Sequence, residues 1–190
     1  MKILLTKTKR LTIISIMSAL ATVLMLFEIP IPFLPGFKYD ASEIIALITS
    51  FLIGPLAGVV TVLVKDLLFL MIKGAEPVGI FMNFMMGATF VGIAGLLYSR
   101  KKTKIRAIIS MVMASALTIA IMDILNLIVY PIYLHVDVSV IINQYLLIIT
   151  LFNFGKTLIA STVTFLIYKK VSSFFKLEAF EDEVRAANID

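Results

Sequence analysis

The sequence predicts an all-α integral membrane protein with six transmembrane helices, the second of them short. Hydrophobic residues make up 61% of the 190 residues and the mean hydropathy is +1.06. A soluble domain of this length cannot hide so much apolar surface from water. Apolar runs of bilayer-spanning length alternate with short polar segments, and the basic residues are grouped in those segments.

Helix-breaking residues divide the apolar runs. Prolines 30, 32 and 35 end the first run, and Gly54-Pro55 splits the second, because proline lacks an N–H donor and clashes with the preceding turn. The predicted helices are 11–29, 41–53, 55–72, 78–99, 107–134 and 143–168. The second helix rises only about 20 Å, which is less than the apolar core of a bilayer.

The basic residues predict the orientation. They precede the first helix, lie between the fourth and fifth, and follow the sixth, whereas the opposite loops hold only Lys38 and Lys73. By the positive-inside rule both termini are cytoplasmic and the loops 30–40, 73–78 and 135–142 face outward. The predicted organisation is a basic cytoplasmic N-terminus (1–10), a membrane domain (11–168) and a cytoplasmic C-terminal tail (169–190).

Several functions are excluded by composition. The chain has no cysteine and one histidine, His135, so disulfides, thiolate chemistry and a histidine metal cluster are ruled out. Gly155-Lys156-Thr157 resembles the end of a phosphate-binding loop, but Thr150 replaces the first glycine and no strand precedes it. No catalytic motif is present, and short blocks of basic residues between apolar spans do not indicate nucleic-acid binding. We therefore expect no enzyme and no metal.

Polar residues inside the predicted spans indicate a ligand pocket, since an ionisable group costs about 2.5–3.5 kcal/mol there on insertion scales. Asp123 and Asn126 share one face of the fifth helix, and Asn153 and Lys156 repeat that spacing on the sixth. Amides both donate and accept hydrogen bonds, which suits a neutral ligand with many functional groups. The candidate binding residues are Tyr39, Asp40, Asn83, Asp123, Asn126, Asn153 and Lys156.

Structural interpretations of these polar residues remain open, because polar groups in membrane helices often bond only to neighbouring helices. Asp123 either contacts ligand or forms an ion pair with Lys156. Lys65 and Asp66 are expected to pair internally or to contact a partner. Glu43, near the outer mouth, is expected to be solvated or to cap a helix.

Taken together, several short motifs resemble a known family. They are P-G-F-K-Y-D-A-S-E-I-I (35–45), I-G-P-L-A-G (53–58), E-P-V-G-I-F-M-N-F (76–84), D-I-L-N (123–126) and N-F-G-K (153–156). In this order they are similar to the substrate-binding (S) components of energy-coupling factor vitamin transporters, and most similar to the riboflavin-specific members. The resemblance extends over residues 8–172.

The resemblance implies that a vitamin, riboflavin, binds from outside as the transported ligand and not as a cofactor. It implies ligand contacts at Asn126, Asn153 and Lys156, with Tyr39 and Asp40 closing over the ligand. It further implies a bacterial plasma-membrane location and docking of the first helix onto a membrane coupling subunit driven by two cytoplasmic ATPases. The family's A-x-x-x-A docking pattern reads Ser15-x-x-x-Ala19 here.

Two other functions remain open on the sequence. One is an S component for a different vitamin, such as thiamine. The other is a membrane enzyme or assembly factor without a transport ligand, for which no residue constellation gives support.

Overall fold

The computed structural model describes residues 6–187 except 33 and 35, with side chains to 167 and at 170. A two-stranded antiparallel hairpin joins β1 (Ile29–Pro30) to β2 (Lys38–Tyr39). The helices are α1 (Lys7–Leu26), α2 (Ser42–Leu52), α3 (Pro55–Lys73), α4 (Pro77–Ser99), α5 (Lys104–Leu134), α6 (Val138–Val140) and α7 (Leu146–Ala187). A π-helical turn, Ile141–Tyr145, joins α6 to α7.

The predicted six-helix membrane fold is confirmed. Within the described part of the chain, five segments are long and apolar enough to cross a bilayer: α1, α3, α4, α5 and Val138–Ile167. The remaining helix, α2, is short as predicted, with 11 residues. Large apolar side chains on the outer surface, such as Leu56 (75% exposed) and Met71 (81%), require an apolar solvent. The chain is therefore a multi-pass membrane protein.

Two helices begin earlier than predicted because polar side chains cap them. The side chain of Thr6 accepts a hydrogen bond from the backbone N–H of Lys9, and Thr103 accepts one from Arg106. Capping satisfies backbone donors that a helix leaves without an intrahelical partner. These helices consequently extend beyond the apolar run by one turn.

The hairpin was missed at the sequence level. The first helix ends at Leu26, not at residue 29, and Ile29 pairs with Tyr39 while Pro30 pairs with Lys38. Proline is tolerated here because the strand has one neighbour only, so its missing N–H costs no ladder bond on the free side.

The short helix α2 lies at the centre of the bundle, where nine of its eleven residues are buried. Ser50 donates a hydrogen bond to the carbonyl of Val91 on α4 (3.0 Å). The two helices can approach closely here because Gly95 has no side chain. A Cβ at that position would lie 1.9 Å from Ser50 Oγ. The neighbouring helices thus cover most of α2, and a helix inside the bundle can be shorter than the bilayer is thick.

The cytoplasmic location of the two termini stays a prediction. Helix α7 continues to Ala187 and includes most of the predicted tail. Residues 1–5 and 188–190, which belong to the predicted terminal segments, lie outside the described residues.

Candidate functional site

A cavity opens at the end of the bundle that carries the hairpin. The space between its walls is about 670 Å³ when the part open to the surroundings is included. Its walls come from the loop of the hairpin, the first turns of α4, and facing positions on α5 and α7. Four of the predicted site residues line it: Asn83, Asn126, Asn153 and Lys156.

The asparagines of α5 and α7 present amides to this cavity. Asn126 is 1% exposed and donates from Nδ2 to the carbonyl of Met122 at 2.7 Å. Asn153 is 2% exposed and donates in the same way to Ile149 at 3.1 Å. Each bond uses one N–H, so each amide keeps a second N–H and a carbonyl oxygen for a ligand. The backbone bonds fix the direction in which the amides point.

The ammonium of Lys156 contacts three oxygen atoms from different parts of the chain. It donates hydrogen bonds to Asp40 Oδ2 at 3.1 Å and to Asn83 Oδ1 at 3.0 Å. It also lies 3.4 Å from Glu43 Oε2, which is an ion-pair contact and not a hydrogen bond. Lys156 is therefore a buried, paired cation at the cavity wall.

Asp123 and Lys156 do not form an ion pair, which was one of the two interpretations of Asp123 from the sequence. Asp123 instead accepts a hydrogen bond from the Thr150 hydroxyl at 2.9 Å, which ties α5 to α7. It is not among the residues that line the cavity. Adjacent positions on one helix face therefore have different surroundings, and ligand contact by Asp123 stays a prediction.

Asp40 lies directly after β2 and is buried against Lys156. The Ser42 backbone donates to Asp40 Oδ1 at 3.0 Å, and the Ser42 hydroxyl donates to the same oxygen. Burial alone would raise the pKa of Asp40, but the ammonium groups of Lys156 and Lys65 outweigh burial and hold that pKa well below its usual range. Asp40 therefore anchors the end of the hairpin as a carboxylate.

The other predicted loop residue, Tyr39, is partly buried on β2, and burial raises the pKa of its hydroxyl, with a further contribution from Glu43. Neither Tyr39 nor Asp40 lines the cavity, whereas Gly36, Phe37 and Lys38 of the same hairpin do. The closing role expected for Tyr39 and Asp40 is untested.

Aromatic residues form one wall, and Tyr130, Phe152 and Tyr133 among them were not assigned from the sequence. The Phe37 ring meets Tyr130 and Phe152 edge to face, with centroid distances of 5.4 and 5.2 Å. At the rim, the Tyr133 hydroxyl donates to Glu76 Oε2 at 2.7 Å. Helical spacing contained a signal for one of them, since Tyr130 lies four residues after Asn126 and shares its face.

The expectation for Glu43 is wrong. It is 1% exposed, with Oε1 3.5 Å from Lys65 Nζ and Oε2 facing Lys156. The internal pairing expected for Lys65 and Asp66 is present, at 2.8 Å, although consecutive helical residues point about 100° apart. The long lysine side chain bends back to reach its neighbour. A sequence position at a helix start does not reveal that α2 is enclosed by other helices.

Ser15 and Ala19 are both exposed on the outer face of α1. The neighbouring apolar residues Ile16, Leu20 and Val23 are 49–56% exposed. In the part of the chain that the structure describes, this face of α1 is exposed and can contact lipid or another protein.

Comparison with known proteins agrees with this arrangement. A sequence profile of the family described as ECF transporter, substrate-specific component, matches residues 9–168. The riboflavin transporter RibU of Staphylococcus aureus (strain TCH60) is 34% identical over 177 residues, covering 90% of this chain and 94% of that protein. The riboflavin transporter FmnP of Bacillus subtilis (strain 168) is 30% identical over 194 residues, covering 96% and 99%.

Solved structures share the fold. An S component of a bacterial ECF transporter superposes with a TM-score of 0.80 at 34% identity, covering 90% of this chain and 99% of that one. ThiT from Listeria monocytogenes gives a TM-score of 0.66 at 14% identity, covering 87% and 96%, and shows the likeness of fold alone.

The fold and the cavity together define a membrane protein that holds a small ligand among its helices. With the family match over most of its length, the chain belongs to the substrate-specific components of ECF transporters. It is accordingly a substrate-binding transport component and not an enzyme.

Proposed function

We propose that this chain is the riboflavin-binding subunit of a vitamin uptake system in a bacterial plasma membrane. The observation that carries the proposal is the pair of buried amides, Asn126 and Asn153, which face an aromatic-walled cavity. Two relatives that cover nearly the whole chain are named riboflavin transporters, which supports the same ligand.

The chemistry of the cavity suits a flavin. Riboflavin is neutral, with a flat tricyclic ring whose edge carries both N–H and carbonyl groups, and with a hydroxylated chain. Amides complement such an edge, because each one donates and accepts. Phe37, Tyr130 and Phe152, together with methionines 82, 86 and 122, supply the apolar wall.

Within this proposal, Asn126 and Asn153 bind the polar groups of the flavin. Lys156 and Asn83 complete the polar wall. Tyr39 and Asp40 belong to the hairpin that covers the bound ligand, and Asp123 supports the α5–α7 contact beside the site. Riboflavin is the transported ligand and not a cofactor.

Uptake against a gradient requires an energy source outside this chain. We infer that a separate module supplies it, consisting of a membrane coupling subunit and two cytoplasmic ATPases. The small, exposed residues Ser15 and Ala19 make α1 the docking helix in this proposal, since small side chains allow close helix contact in a membrane. Both termini then face the cytoplasm, and the cavity opens outward.

Riboflavin titration of the purified chain in detergent tests the proposal. Flavin fluorescence is expected to be quenched saturably by the parent chain. Asn153→Ala is expected to weaken binding by about tenfold or more, because a ligand group that loses its buried partner stays unsatisfied. Asn143→Ala, at an exposed asparagine on the π-helical turn, is the matched control and should bind like the parent. Lack of saturable quenching by the parent would overturn the proposal.

An S component for another vitamin is the second candidate, because the family match identifies a substrate-specific component without specifying its substrate. A thermal-shift screen across vitamins separates the candidates, because a ligand at 100 times its Kd stabilises the folded state by about 2.7 kcal/mol. Riboflavin should give the largest shift. A larger shift with thiamine would replace riboflavin in the proposal.

A further inference from the structure

Behind the cavity, four charged residues and one amide form a closed ring of contacts. Lys156 Nζ lies 3.4 Å from Glu43 Oε2, and Glu43 Oε1 lies 3.5 Å from Lys65 Nζ. Lys65 donates to Asp66 Oδ1 at 2.8 Å, and that oxygen lies 3.5 Å from Asn83 Nδ2. Asn83 Oδ1 accepts from Lys156 at 3.0 Å and closes the ring.

The ring has two parts that differ in their access to a ligand. Asn83 and Lys156 line the cavity, whereas Glu43, Lys65 and Asp66 do not. The three residues behind the cavity are at most 1% exposed. They are therefore placed to act on a ligand only through Asn83 and Lys156.

The ring itself contains two carboxylates and two ammonium groups, and the buried carboxylate of Asp40 joins it through Lys156. Burying these charges in a membrane domain is costly, and apolar residues of similar volume would often serve stability as well or better. Such a network is therefore weak evidence for stability alone. A buried polar network can instead specify one arrangement of its members, which is the property a binding site requires.

We propose that Glu43 is a positioning residue of the ligand site, which sets Lys156 directly and Asn83 through Lys65 and Asp66. The orientation of Asn83 follows from the ring: its N–H groups point at Asp66 and its carbonyl oxygen points at Lys156. The inference rests on the proposed function and extends it from the cavity wall to residues that touch no ligand.

The ring also connects separate elements of the fold. Glu43 belongs to α2, Lys65 and Asp66 to α3, Asn83 to α4 and Lys156 to α7. Lys156 in addition binds Asp40, which holds the end of the hairpin. A change at Glu43 is thus transmitted to three walls of the cavity at once.

Glu43→Gln is the direct test, because glutamine keeps the volume and opens the ring. Its carbonyl accepts from one lysine, while its N–H groups face the other. Riboflavin affinity is expected to fall by about tenfold, in line with the coupling of neighbours in one network. The unfolding temperature of the ligand-free protein should fall less than in Lys156→Met, because Asp66 still pairs with Lys65 and Asp40 still pairs with Lys156.

A second background separates positioning from general damage. In Lys156→Met the direct contact between Glu43 and the ligand-facing lysine is gone, and only the route through Lys65, Asp66 and Asn83 remains. There, Glu43→Gln is expected to lower riboflavin affinity by less than it does in the parent, whereas a structural defect would lower affinity equally in both backgrounds. Asp137→Asn, at an exposed loop carboxylate, controls for the loss of one negative charge.

The outcomes distinguish the two proposals. If the parent chain does not bind riboflavin saturably, the proposed function fails. If the parent binds and Glu43→Gln stays within about twofold of it, the positioning role fails alone. Where Glu43→Gln does not purify as a monodisperse protein, Asp66→Asn carries the test from the far side of the ring. Its expected result is a smaller loss of affinity, and parent-like affinity would overturn the inference.

Discussion

At the scale of single residues, the charge of Lys156 is the most constrained feature of the site. Its side chain is 5% exposed and its ammonium contacts both Asp40 and Glu43. Breaking a buried pair from one side leaves an uncompensated charge, which is far more destabilising than losing an exposed pair.

Lys156→Met is therefore expected to lower the free energy of unfolding by about 3–5 kcal/mol and to weaken riboflavin binding. Thermal unfolding in detergent and flavin titration measure the two effects. Lys102→Met, at an exposed lysine in the α4–α5 connection, should change neither. Adding Asp40→Asn to Lys156→Met should recover part of the lost stability, and a further loss would contradict the assignment of this pair.

The rim of the cavity offers a milder test. Tyr133 donates to the exposed Glu76 across the mouth, and solvent weakens a bond of this kind, so its contribution to stability is small. Tyr133→Phe is expected to speed riboflavin dissociation severalfold with little change in unfolding temperature, because Tyr133 is only partly buried. Stopped-flow fluorescence measures the rate. An unchanged dissociation rate would show that this bond does not hold the mouth.

At the scale of elements, the bundle depends on how closely the buried α2 approaches its neighbours. A Cβ at Gly95 would lie 1.9 Å from Ser50 Oγ and 3.0 Å from Pro55 Cα at the start of α3, so an added side chain displaces the Ser50 hydroxyl from its bond to Val91 and crowds the α3 backbone. Close backbone approach at small residues is the usual basis of helix packing in membranes.

Gly95→Ala is accordingly expected to lower the free energy of unfolding by about 1–3 kcal/mol through overpacking. Gly155→Ala is the matched control, since a Cβ there meets nothing within 4 Å and alanine is the better helix former. The unfolding temperature should fall for the first variant and hold or rise for the second. Combining Gly95→Ala with Ser50→Ala should relieve part of the clash.

At the scale of the whole molecule, binding and uptake are separable functions in this proposal. The exposed pair Ser15 and Ala19 lies on α1 and outside the cavity lining. Leucine at both positions would keep close helix contact from forming, without touching the site.

The double variant Ser15→Leu, Ala19→Leu is expected to abolish riboflavin uptake by cells that supply the coupling module, while the purified chain keeps parent affinity. Thr162→Leu, at an exposed small residue of α7, controls for added bulk on the lipid-facing surface and should transport normally. Unimpaired uptake by the double variant would remove α1 as the docking helix.

The orientation is testable because the chain has no cysteine. A membrane-impermeant maleimide applied to whole cells is expected to label Asp137→Cys, in the loop before α6. It should label Lys102→Cys, in the connection between α4 and α5, only after the cells are permeabilised. The reverse pattern would invert the predicted topology.

The sequence alone determined that the chain is a membrane protein, that it has six helices and that α2 is short. These features follow from hydropathy and from the positions of proline and glycine, which act locally along the chain. The spacing of Asn126, Asn153 and Lys156 likewise predicted which helix faces carry polar groups. The strand at residues 29 and 30 was not predicted, because it forms only by pairing with residues 39 and 38, which lie ten and eight positions further along the chain.

Only the tertiary structure decided the partners of the charges. Glu43 reads as an exposed helix start in sequence, yet neighbouring helices enclose it between Lys65 and Lys156. Asp123 shares a helix face with Asn126, yet it bonds Thr150 and not Lys156. Periodicity assigns a residue to a face, whereas the partner across that face depends on helix packing between segments distant in the chain. The polar residues of the bundle are thus a property of the sequence, and the closed ring that joins them is a property of the fold.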